Sequence, residues 1–236
     1  MNPKIGGWQH IVYFLIVVGL TVAGMICAKK FAKTEKSKSI ILKSLAGALL
    51  IAIISNRISI VFKTVEPEWK WLVPDSLCGM SSLVLSLSVL LGKKDNNVLH
   101  FVWLVALIGG TITMFYPDFI GQNASIFYLP TITGLLHHSL SVVVVVASLI
   151  LGNLHITYKK WFCVLFGFTS YLAFGSFLMN VCGFHDAYNM VNPLLSGTPF
   201  TIWFIAPIFM VVYAIIVFVA ELIRKQKTKN TEAAKN

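Results

Sequence analysis

Seven long apolar stretches, joined by loops too short to hold another domain, constrain this chain more than any motif in it. They cover about residues 8–28, 40–62, 71–91, 97–116, 131–152, 158–182 and 200–223. At 1.5 Å per helical residue each is long enough to cross roughly 30 Å of hydrocarbon. No water is available there to satisfy backbone polar groups, so each stretch must satisfy its own as a helix. The expected fold class is therefore all-α, a polytopic membrane helix bundle with seven transmembrane helices. Residues 1–223 form the transmembrane domain, and residues 224–236 form a disordered basic cytoplasmic tail. Composition agrees: 57% of residues are hydrophobic and 12% charged, against about 25% charged in an ordinary soluble domain. Soluble enzymes, disordered chains and disulfide-stapled secreted domains are excluded. The net charge of +10 lies in short runs between apolar stretches, so no nucleic-acid partner is expected. The four cysteines, Cys27, Cys78, Cys163 and Cys182, show no CxxC or zinc-finger spacing. Only Lys4 precedes the first apolar run and no small-residue cleavage site follows it, so that run reads as an anchor.

The basic residues predict the orientation. Lys29, Lys30, Lys33, Lys36, Lys38 and Lys43 cluster at the first loop, Lys93 and Lys94 at the third, and Lys159 and Lys160 at the fifth. With Arg224, Lys225, Lys227, Lys229 and Lys235 of the tail, 15 of the 19 basic residues fall on one side. The positive-inside bias places the amino terminus outside and the carboxyl terminus in the cytoplasm of a multi-pass cell-membrane protein.

Polar groups in a bilayer are costly and mark sites. Cys78 is seven residues into the third stretch and His138 seven residues into the fifth, each about 10 Å below the outer interface. His10, Arg57, Asn180 and Asp118 lie toward the same side, with His185, Asp186 and Asn189 in the last outer loop. A thiolate attacks acyl carbonyls well, and an imidazole within hydrogen-bond reach would generate it. A cysteine and a histidine at matched depth are thus a candidate nucleophile and base, close to the depth of a phospholipid ester. Adjacent His137 and His138 point about 100° apart on a helix, so one of them faces Cys78.

Plainer readings stand beside these. Cys78, Ser82 and Ser86 recur every four residues as a small-residue packing stripe. A Cys78–Cys182 disulfide is an alternative in an oxidising compartment. Arg57 either snorkels to water or clamps a lipid phosphate. Asn123-Ala124-Ser125 matches the glycosylation pattern. The last stretch has no lysine, which excludes a retinal Schiff base there.

The stretch Leu72-Val73-Pro74-Asp75-Ser76-Leu77-Cys78 resembles the Pro-x-x-Leu-Cys start of the third helix in the YwaF-like bacterial integral membrane proteins. Trp103, Gly109 or Gly110, and the Pro117-Asp118 end of the fourth stretch are similar to that family's Trp-Gly…Pro-Asp segment. Leu136-His137-His138-Ser139 resembles its histidine helix, where the histidine before a small residue corresponds to His138. Gln9-His10-Ile11 is similar to its first-helix histidine, and Tyr188-Asn189-Met190-Val191-Asn192-Pro193 to the loop before its last helix. Two positions depart: Gly79 stands where a polar residue often follows the cysteine, and the last-loop motif aligns only with a shifted asparagine. The family is related to the eukaryotic transmembrane protein 164 group, regarded as acyltransferases acting through a cysteine and a histidine. The resemblance implies Cys78 as acyl-accepting nucleophile and His138 as general base.

The leading expectation is a lipid acyltransferase or acyl hydrolase acting on a membrane phospholipid or lysolipid, with no cofactor and no metal. Cys78 and His138 are the catalytic pair. Arg57, His10, His137, Asn180, Asn189 and Asp118 are candidate substrate-binding or supporting residues, with an asparagine as oxyanion donor. One alternative is a metal-dependent lipid amidase or hydrolase with ligands among His10, His138, His185, Asp118 and Asp186. Another is a transporter or non-enzymatic membrane protein, although no internal repeat or matched pair of broken helices is visible.

Overall fold

The structure is a computed structural model that describes residues 7–63, 67–117 and 125–233, with side chains described as far as Gln226. Seven α-helices follow in order: α1 (Trp8–Phe31), α2 (Glu35–Val61), α3 (Leu77–Leu90), α4 (Asn97–Phe115), α5 (Leu129–Ile150), α6 (Trp161–Asn180) and α7 (Ile202–Ala233). Short 3₁₀ turns at Trp69–Leu72 and Tyr158–Lys160 precede α3 and α6. Among the described residues there is no strand. Among the described residues six helices are long and apolar enough to cross a membrane, and the chain is a multi-pass membrane protein.

The exception is α3. A crossing over 71–91 was expected, but the helix has 14 residues, about 21 Å of rise against roughly 30 Å of hydrocarbon. The cause is local. Pro74 drives Val73 out of the helical region, and Val73 is extended with ψ 127°. Ser76 then caps a new helix, its Oγ accepting from Gly79 N at 3.1 Å. Cys78 is therefore the second residue of α3, not a residue seven positions into a continuous span.

Other boundaries are equally legible. Thr34 and Ser37 form a reciprocal capping box at α2, Asn96 caps α4 through Leu99 N, and Pro130 stands in the first turn of α5. Just before the first 3₁₀ turn, a hydrogen bond from Lys70 and its charge hold the Glu68 carboxyl below the usual carboxylate range.

The chain forms two compact units, Met1–Leu154 and His155–Asn236. In the first, α2 and α4 each pack against both α3 and α5, and α1 leans on α5. In the second, α6 and α7 pack together with the Tyr158–Lys160 turn. Helix α7 continues beyond Ile223, through part of the basic segment read from the sequence as a tail. Helices α4 and α5 are the most enclosed, whereas α1 is exposed along nearly all of its apolar length.

Candidate functional site

Helix α2 carries two adjacent polar residues inside an apolar run. Asn56 is buried and donates from Nδ2 to Pro130 O and to Thr133 Oγ1, both at 3.2 Å, which anchors the start of α5. Arg57 donates to Asp75 Oδ1 and to Asn56 Oδ1, both at 3.2 Å. The Arg57–Asp75 ion pair thereby anchors the segment leading into α3. Arg57 Nε is buried with no hydrogen-bond partner among the described residues.

Two glycines of α4 let α3 and α5 approach closely. A Cβ on Gly109 would stand 2.7 Å from Cys78 Sγ, and a Cβ on Gly110 would stand 2.7 Å from His138 O. Any larger residue at either position would push the cysteine or the histidine helix away. Gly79, the departure noted beside Cys78, has a similar reason: its Cβ would meet Ser76 Oγ at 3.0 Å and Pro74 Cβ at 3.2 Å.

One turn beyond Cys78, Ser82 Oγ lies 3.0 Å from Cys78 O, 2.8 Å from Ser141 Oγ and 3.1 Å from His137 Nδ1. Ser141 Oγ donates to His137 O. A hydroxyl network thus joins the Cys78 turn of α3 to the His137 turn of α5, and the histidine it holds is His137. The His137 and His138 rings lie 4.1 Å apart between centroids. Both histidines are buried and Cys78 is half-buried. Among the described residues the His138 ring makes no hydrogen bond, and none joins Cys78 Sγ to either imidazole.

His10 is committed elsewhere. Its Nε2–H donates to Met114 O at 2.7 Å, satisfying one of the carbonyls that the end of α4 leaves open. Three residues on, Tyr13 Oη meets Ser139 Oγ at 2.7 Å.

Asn180 and Asn189 belong to the second unit. Asn180 donates to Ser176 O within its own helix, and Asn189, at φ 56°, donates to Asn192 O. Asp186 accepts from the backbone N–H groups of Met190, Val191 and Asn192. Asp118 and Asn123 lie outside the described residues. All four cysteines are free thiols. Among the described residues no three His, Cys, Asp or Glu side chains gather as a metal site would need.

Sequence reasoning missed Asn56, Asp75, Ser141, Thr133 and Tyr13, and it treated Ser82 as packing. A signal was present. Ser82 and Ser141 each follow a candidate residue, Cys78 and His137, by four positions, and so share its helix face.

The sequence model of the TMEM164 family matches residues 5–224, and the chain belongs to that family. No curated protein and no solved structure matches it.

Proposed function

We propose that this TMEM164-family membrane protein transfers or hydrolyses lipid acyl groups through Cys78 and a histidine of α5. In this reading the chain crosses the bilayer seven times with its amino terminus outside. The Trp69–Ser76 segment completes the crossing that α3 is too short to make alone, and Cys78 stands in the extracytoplasmic half of a cell membrane. The observation that supports it most is the shared seat on α4: Cys78 packs against Gly109 and the His138 backbone against Gly110.

His138 takes the thiol proton, and the Cys78 sulfur attacks the ester carbonyl of a phospholipid. A C–S bond forms as the C–O bond to the glycerol oxygen breaks, and that oxygen takes the proton from His138. A lysolipid hydroxyl, or water, then gives its proton to His138 and attacks the thioester. The C–S bond breaks, and the thiolate recovers the proton. Arg57 is the candidate contact for a headgroup phosphate.

A second reading exchanges the histidines. The bond from His137 Nδ1 to Ser82 favours His137 as base, because a donating Nδ1–H leaves Nε2 as a free acceptor. Acyl exchange between labelled phospholipid and lysolipid in reconstituted vesicles tests both. Cys78→Ala should abolish exchange; full exchange by that variant removes the mechanism. His138→Gln and His137→Gln identify the base, whose loss lowers the rate by about 10²–10⁴.

A further inference from the structure

Helix α1 is exposed along nearly its whole length, yet one of its faces is concave. Positions 13, 17, 20, 21, 24, 25 and 28 recur at helical spacing and line a groove with residues 136, 139, 140 and 143 of α5. Ile41 and Leu45 of α2 close it. The groove has a volume of about 350 Å³ and an almost wholly apolar lining. Tyr13 and Ala28 are separated by about 22 Å of helix rise. Gly24 opens the middle, since a Cβ there would meet nothing within 4 Å.

We infer that this groove holds one long fatty acyl chain of a membrane phospholipid, with the ester end at Tyr13 and Ser139. In a bilayer an apolar groove is filled by hydrocarbon, and lipid tails gain nothing from merely leaving other tails. Preference for one site must come from shape and from a polar end, and the groove has both. The Tyr13–Ser139 bond uses one of two hydroxyl protons, which leaves the other to donate to an ester carbonyl. Ser139 directly follows His138 in α5, so the groove's polar end lies on the same helical turn as the proposed base. This inference rests on the acyl-transfer reading for its direction and its ester end. The occupancy of the groove can be measured without any reaction.

The experiment uses the full chain in phosphatidylcholine vesicles containing a small fraction of phosphatidylcholine whose acyl chain carries a diazirine. After photolysis, adducts are mapped by mass spectrometry. Adducts should concentrate several-fold on Leu20, Leu140 and Val143 over Leu15, Val22 and Ile26 on the opposite face of α1. Gly24→Trp, and separately Leu45→Trp, should deplete the groove adducts several-fold and leave the opposite face labelled as before. That unchanged labelling also reports that each variant is folded. Even labelling of both faces of α1, as from ordinary boundary lipid, overturns the inference, and so does groove labelling that neither tryptophan reduces. Cys78→Ala should retain the groove adducts. Groove labelling in a chain without exchange activity therefore defeats the catalytic reading alone, and exchange without groove labelling defeats the groove alone.

Discussion

The two units differ in where their polar groups are buried and in whether those groups bond between helices. Every buried His, Asn, Ser and Thr among the described residues lies in the first unit. Some of them bind across helices, Asn56 to Thr133, Ser82 to His137 and Ser141, and Ser139 to Tyr13, while Ser59, Ser86 and Ser88 donate to carbonyls of their own helix. In α6 of the second unit the hydroxyls of Thr169 and Ser170 turn back to their own helix, donating to Leu165 O and Phe166 O. A polar group persists in hydrocarbon only when it is satisfied. Satisfaction within one helix is neutral toward neighbours, whereas satisfaction between helices sets their register. Inter-helix bonds of this second kind fix placement, and those of Ser82, Ser141 and His137 do so at the turn that follows Cys78.

That contrast can be broken or sharpened in descending order of effect. Cys78→Ala should reduce acyl exchange to background, the largest change; an equal loss from Cys163→Ala in the second unit would erase the distinction. Arg57→Ala should destabilise the first unit by on the order of 2–3 kcal/mol, below the cost of breaking a fully enclosed pair because Asp75 is partly exposed. Replacing both partners, Arg57→Met with Asp75→Leu, should restore most of that loss in detergent-unfolding titrations. Asn56→Leu should cost about 1 kcal/mol through its lost bonds to Pro130 and Thr133. Thr169→Val should shift stability by less than about 0.5 kcal/mol, and a larger shift would show that α6 hydroxyls also carry inter-helix contacts.

The candidate site was legible in kind more than in detail. Cys78 and the His137-His138 pair stand out because reactive side chains are rare in apolar stretches, and that holds without coordinates. His10 looked equally functional, but its bond to Met114 O gives it a helix end to satisfy. The third span looked continuous because hydropathy averages over Pro74-Asp75-Ser76, whereas the backbone does not average: a proline and a cap decide where a helix starts.

Sequence alone therefore determined the class of molecule, an all-helical membrane protein, and the residue types available for chemistry, because hydrophobic length and local capping act within single segments. Tertiary structure alone decided which histidine bonds to the Cys78 helix, why Gly109, Gly110 and Gly79 must lack a side chain, and that α1 leaves a groove beside Ser139. Those outcomes depend on how close one helix surface can come to another. That distance is a property of pairs of segments, which no single segment encodes.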